Sequence, residues 1–131
     1  MQIYLFFRRT FSKLFHVTDW FPTIMTMAGM SLQDIPTHID GVNQYSAIFE
    51  ENPQPARTEI IHEIREDNFR GGYGGALRTQ DGWKILRNPS RTPLFDTYHL
   101  YNIELDPSES VDLKRDFPEV FQELKDKLEV Q

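Results

Sequence analysis

Four histidines are the side chains best suited to acid–base or metal chemistry in this chain, and they are widely separated. His16, His38, His62 and His99 lie more than twenty residues apart from one another. None has the i,i+4 spacing that places two imidazoles on one face of a helix, and no carboxylate motif accompanies them. We therefore expect each histidine to be hydrogen-bonded or at the surface, and we assign no metal ligand.

Other patterns that can carry catalysis are weak. The glycine-rich stretch 71–75 lacks the Lys-Ser/Thr ending of a phosphate-binding loop and opens no helix, so we interpret it as a flexible loop. No serine lies in a Gly-x-Ser-x-Gly elbow, and the absence of cysteine excludes thiolate chemistry and cysteine-bound zinc. Several carboxylates could pair for acid–base work, but their spacing is that of ordinary surface residues: Asp34, Asp40, Glu63, Glu66 and Asp67. Residue types alone therefore assign no catalytic residue.

The charge of the chain argues against a nucleic-acid partner. The 131 residues carry a net charge of −6, whereas nucleic-acid binders normally present a basic face. The charge is uneven: residues 57–91 hold seven Lys/Arg against five Asp/Glu, and residues 92–131 hold four against ten. The apolar run at 3–7 is too short to cross a bilayer, so we predict no membrane span.

The elements that would position any site are predicted to centre on a hairpin over residues 76–86. Asp81 and Gly82 favour a tight turn, because glycine takes a positive φ without cost. Strands are predicted at 58–64 and 99–103, with loops at 66–75 and 88–98. An isolated hairpin is marginal in water, so these strands should complete a small antiparallel sheet.

Besides a short helical segment at about 43–49, two longer helices are predicted, and they differ in character. After Asp116, the residues Val120, Phe121, Leu124 and Leu128 form one apolar stripe, which indicates an amphipathic C-terminal helix packed on the sheet. The fold class is therefore α+β, with an antiparallel sheet of about four strands. The other helix is predicted at 19–28, with Thr18 as its N-cap and Gly29 as its C-terminal stop. It is apolar around most of its circumference, and the rest of the chain is too small to cover it.

Short stretches spread over much of the chain resemble the sulfatases, nearest to the arylsulfatase B group. They follow the order of that family at 16–29, 40–44, 57–62, 76–78, 82–86, 100–103 and 106–109 with 112–113. The resemblance implies an alkaline-phosphatase-like α/β fold with a smaller C-terminal domain, in which a short antiparallel sheet carries a terminal helix. It divides this chain into an unmatched segment 1–11, a remnant of the large domain at 12–56, and the C-terminal subdomain at 57–131. The apolar helix would then lie at the edge of a missing α/β domain.

The same resemblance implies chemistry that this chain does not itself contain. Sulfatases hydrolyse sulfate esters with a formylglycine made from the cysteine of a Cys-x-Pro-x-Arg motif, assisted by a calcium ion. Neither that motif nor the family's calcium ligands can be found in these 131 residues, so no catalytic or metal residue is carried over. Residues at the end of the first strand are our candidates for the rim of a substrate cleft, namely His62, Glu63 and Arg65, together with the loop 67–75.

Three functional readings remain open. The first is an inactive C-terminal fragment of an arylsulfatase-type sulfuric ester hydrolase, whose partner is the missing N-terminal domain and whose substrate is a sulfated glycan, such as a glycosaminoglycan, or an aryl sulfate. The second is a non-catalytic module that binds a sulfated glycan or a protein through the locally basic residues 57–91. The third is a structural α+β domain unrelated to sulfatases. The resemblance also implies a lysosomal or secreted location.

Overall fold

The chain folds as two units, Met1–Arg57 and Thr58–Gln131. The structure, a computed structural model, describes residues 11–49, 56–67, 72–88 and 97–129, with the backbone alone at 63–67 and 72–73. No helix among these residues is long and apolar enough to span a bilayer.

The second unit contains a four-stranded antiparallel sheet with strand order β1-β2-β3-β4. The strands are β1 (Glu59–Asp67), β2 (Gly72–Thr79), β3 (Trp83–Asn88) and β4 (Thr97–Asn102). Each strand pairs with the next one in the chain, and the C-terminal helix α3 (Pro118–Glu129) follows. This arrangement confirms the predicted α+β fold.

The turn between β2 and β3 lies where the Asp-Gly pair predicts it. Gly82 has a φ of +88°, and its N–H donates to the carbonyl oxygen of Thr79 at 3.2 Å. A Cβ at Gly82 would come within 2.8 Å of the Glu104 side chain, so space and backbone conformation both require glycine here.

The predicted loops at 66–75 and 88–98 are wrong at their ends. Strand β1 continues to Asp67, and β2 begins at Gly72, with Gly74 paired to Arg65 and Gly75 paired to Ile64. Glycine has a poor intrinsic preference for strands, but the hydrogen-bond ladder with β1 satisfies its backbone groups. Strand β4 likewise begins at Thr97, inside the second predicted loop. The connecting residues 68–71 and 89–96 lie outside the described residues.

The core of the second unit lies between one face of the sheet and α3. Leu77, Ile85 and Leu100 are direct cross-strand partners, and all three are fully buried. Leu124 and Leu128 of α3 cover them, with Val120 and Phe121 partly buried at the edge, as the apolar stripe predicts. On the outer side of the helix, Glu123 and Lys127 form an i,i+4 ion pair at 3.0 Å.

The first unit is built on short helices. These are a 3-10 turn at Val17–Asp19 that leads into α1 (Trp20–Met27), a second 3-10 turn at Leu32–Asp34, and α2 (Tyr45–Phe49). The prediction of Thr18 as N-cap is wrong, because the imidazole of His16 caps the 3-10 turn instead. Gly29 follows α1 with a φ of +89°, which confirms the predicted stop.

Helix α1 leaves most of its apolar side chains in solvent. Pro22 and Thr23 face inward and are fully buried. Four large apolar side chains are each at least half exposed, namely Trp20, Phe21, Ile24 and Met27. The described residues therefore do not cover this face.

Truncating the cross-strand core should destabilise the second unit strongly. We expect Leu100→Ala to lower its free energy of unfolding by about 3 kcal/mol, because a fully buried leucine leaves a cavity in a packed layer. The matched control is Leu105→Ala, whose side chain is 84% exposed and should change the free energy by less than about 0.5 kcal/mol. Urea unfolding followed by Trp83 fluorescence measures both, and equal effects would contradict this packing.

Candidate functional site

The three predicted rim residues lie inside strand β1 and not beyond its end. The register of β1 against β2 shifts between Ile61 and Glu63, which leaves His62 as the extra residue of a β-bulge. His62 is exposed. Glu63 and Arg65 pair through their backbones with β2, while their side chains lie outside the described part of the structure. A bulge redirects a side chain locally, and His62 is the one of the three candidates whose side chain the structure describes.

The sheet face opposite α3 carries a polar row across three strands. Arg78 of β2 pairs directly with Lys84 of β3, which in turn pairs with Tyr101 of β4. The ammonium group of Lys84 forms a salt bridge with Glu109 at 2.5 Å. Ile60 of β1 flanks Arg78 on the other side and is buried.

An aspartate fixes the segment that follows β4. The carboxylate of Asp112 accepts hydrogen bonds from the backbone N–H groups of Leu100 and Lys114, from the Lys114 ammonium and from the His99 ring. Burial by itself raises the pKa of Asp112, but these hydrogen bonds outweigh it and hold the pKa at about 2. His99 is thus a hydrogen-bonded histidine, as the sequence predicts.

Asp19 is the most buried charge among the described residues of the first unit, and its side chain is inaccessible to solvent. Arg57 donates two hydrogen bonds to its carboxylate, from Nη2 to Oδ1 at 2.5 Å and from Nε to Oδ2 at 3.0 Å. The backbone N–H groups of Val42 and His16 and the amide of Gln44 donate to the same carboxylate. Burial by itself raises the pKa of Asp19. The hydrogen bonds from the Arg57 guanidinium and the other donors outweigh this effect and lower the pKa to about 2.

This carboxylate is a structural tie and not a catalytic group. Its two oxygens accept hydrogen bonds from five N–H donors, so no lone pair is free to act as a base or to bind a metal. Gly41 lies close by, where a Cβ would come within 2.2 Å of the Thr18 carbonyl oxygen. Sequence reasoning missed the tie because Asp19 and Arg57 are 38 residues apart.

The residues that the structure describes do not form a site for the calcium ion that the sulfatase resemblance implies. Among the described residues, no group of three or more His, Asp or Glu side chains is arranged to hold a metal. The best hydrogen-bonded carboxylates, Asp19 and Asp112, are engaged with arginine, lysine and backbone N–H groups. We therefore derive no step through calcium or formylglycine from this chain.

Among the described residues of 57–91, part of the positive charge is paired with carboxylates. Arg57 is paired with Asp19 and Lys84 with Glu109, and Arg87 lies over the ring of Tyr98 at 5.8 Å. This pairing weakens the reading of a broadly basic binding module.

The chain shares its fold with part of a known enzyme. A scan against models of known protein families finds no match. Among solved structures, the chain is similar to BT4656, determined in complex with its substrate, D-glucosamine-2-N,6-O-disulfate. The two are 24% identical with a TM-score of 0.61, and the match covers 85% of this chain but 22% of BT4656. At this identity the likeness shows a shared fold alone, and it does not single out the arylsulfatase B group.

Because Asp19 must be ionised to pair with Arg57, the free energy of unfolding of the first unit should fall at acid pH. The pKa of Asp19 is about 2 in the folded chain against an ordinary 3.8, so its contribution is complete above pH 5. That contribution is worth about 2 kcal/mol and should be lost as the pH falls from 4 to 2.

Trp20 fluorescence during urea unfolding, recorded in a Trp83→Phe background, follows the first unit alone. We expect Asp19→Asn to be destabilised at neutral pH and to lose most of this acid dependence. The exposed Asp34 provides the control variant Asp34→Asn, which should behave like the parent. An Asp19→Asn protein with the stability and pH profile of the parent would refute the tie.

Proposed function

We propose that this chain is a C-terminal portion of a sulfuric ester hydrolase of the arylsulfatase type, inactive without the large domain that carries the nucleophile. The observation that supports this most is the fold shared with BT4656 over 85% of the chain. The ordered motifs that resemble sulfatases agree with it. Because the match spans about a fifth of BT4656, the activity of a whole enzyme would need groups that this chain does not supply.

The exposed face of α1 supports a missing partner domain. Trp20, Phe21, Ile24 and Met27 are each 50% to 53% exposed, and Val17 on the preceding turn is 73% exposed. Contiguous apolar surface of this kind normally lies against another protein surface. In the proposed enzyme, the edge of the large α/β domain covers it.

The role of this chain in the intact enzyme is to contribute to the rim of the substrate cleft. His62, Glu63 and Arg65 are the proposed contributors, and His62 lies at the bulge that redirects its side chain. An imidazolium or a guanidinium donates charge-assisted hydrogen bonds to a sulfate group. The proposed substrate is a sulfated sugar or an aryl sulfate, the first being the class on which BT4656 acts.

The inactivity of the chain by itself is directly testable. We expect no turnover of a chromogenic aryl sulfate or of a sulfated glucosamine in the presence of calcium, since the sequence has no cysteine from which formylglycine could form. Turnover that rises with the concentration of purified chain would overturn this proposal. Reading the genomic sequence upstream of Met1 is the complementary test, and an in-frame Cys-x-Pro-x-Arg motif would support the proposal.

The exposed face of α1 should bind a hydrophobic dye. We expect the purified chain to enhance the dye's fluorescence, and the double variant Ile24→Lys, Met27→Lys to reduce that enhancement several-fold. Both residues are more than half exposed, so the variant should keep the stability of the parent. The control is Leu32→Lys, an exposed residue outside α1. A monomeric parent that leaves the dye unchanged would count against a covered face.

A further inference from the structure

The polar row on the sheet face opposite α3 holds two cations side by side. Arg78 and Lys84 are direct cross-strand partners, which places their Cβ atoms about 5 Å apart on the same face. Leu77 and Ile85, the next residues along the same strands, point to the opposite face and are buried under α3. The alternation of the strands therefore forces both cations onto one surface.

Among the described residues, Glu109 is the carboxylate that forms an ion pair in this row. Glu109 forms its salt bridge with Lys84, and it does so from a backbone φ of +54°, a conformation that costs a non-glycine residue energy. Among the described residues, no carboxylate pairs with Arg78. Among the described side chains, Arg78 is thus the cation of this row that has no ion pair.

The guanidinium of Arg78 is also short of hydrogen-bond acceptors. The Nε atom is shielded from solvent and has no partner in the described structure. Its neighbours Ile60 and Ala76 are buried aliphatic side chains, so the surroundings are poorly hydrated. Buried polar groups in proteins are almost always satisfied, and a half-buried arginine without an anion calls for a ligand.

We propose that Arg78, assisted by Lys84, binds a tetrahedral oxyanion, a sulfate or phosphate group that is free or carried on a sugar. This inference does not depend on the proposed function, because it needs no catalytic group. It also restricts the predicted binding surface to one end of one row.

The donor pattern favours a tetrahedral anion over a carboxylate. A carboxylate bound to Arg78 through both its oxygens could offer Lys84 only an oxygen already shared with the arginine, whereas sulfate and phosphate offer oxygens that the arginine does not engage. Lys84 has three N–H donors and is paired with a single Glu109 oxygen. Carboxylates border the Tyr101 end of the row, where burial first and then the charges of Asp112 and Glu109 raise the pKa of that tyrosine. The anion therefore belongs at the Arg78 end.

Titration of the 131-residue chain with sodium sulfate, against sodium chloride of equal ionic strength, tests the proposal by NMR. The readouts are the backbone amide resonances of Arg78 and Lys84 and the Nε–H resonance of Arg78. We expect saturable shifts with sulfate and with phosphate, and affinity at least about tenfold weaker in Arg78→Gln. Glucosamine 6-sulfate separates the two sources, because tighter binding than inorganic sulfate indicates a sugar-borne group.

Two further variants isolate the effect from net charge and from folding. Arg115→Gln removes one positive charge from an exposed arginine of the same unit and should leave the affinity unchanged. Glu109→Gln releases Lys84 and should raise the affinity for sulfate. If Arg78→Gln does not fold, Arg78→Lys retains the charge without the planar fork and should still weaken binding.

Three results would overturn the site. They are the absence of saturable shifts, equal affinity in the parent and the Arg78 variants, and acetate that binds as well as sulfate. The last would mean that Arg78 takes a carboxylate, such as one from a covering protein surface.

Discussion

The second unit depends on the packing of one apolar row against one helix. Leu77, Ile85 and Leu100 lie side by side across three strands, and α3 covers them. Because side chains alternate along a strand, this burial also determines the other face, where Arg78 and Lys84 meet. A slip of one residue in register would bury both cations and expose the leucines, so the hydrophobic layer fixes the polar one.

The first unit reverses this relationship between apolar and polar groups. Its buried centre is an ion pair, Asp19 with Arg57, surrounded by backbone and amide donors, whereas the apolar side of α1 is in solvent. A buried charge pair organises a fold only while every donor and acceptor is satisfied, and it supplies less stability than a hydrophobic layer of the same size. A unit with this construction is suited to receive apolar cover from another surface, as the proposed enzyme would provide.

The sequence predicted those features of the fold that depend on residues close together in the chain. The Asp81-Gly82 turn and the stripe of α3 were predictable because a positive φ and a 3.6-residue period are both written in neighbouring residues. The extension of β2 through Gly74 was not, since its hydrogen-bond ladder comes from β1 and glycine carries no strand signal. The Asp19–Arg57 pair and the lack of a described ion pair at Arg78 were likewise out of reach, because each depends on which distant residues the fold brings together.

The rim candidate and the oxyanion candidate are neighbours on the sheet but make different demands. His62 lies two residues beyond Ile60, the residue of β1 that pairs with Arg78. A rim contact has meaning only opposite a catalytic centre, which we propose lies in a partner domain, and so its effect is tested in an intact enzyme. The Arg78 site needs a cation without an ion pair, surroundings that hold little water, and an anion with at least three oxygens. The chain provides the first two by itself. Binding of sulfate can therefore be judged on this chain alone, independently of whether the hydrolase assignment is right.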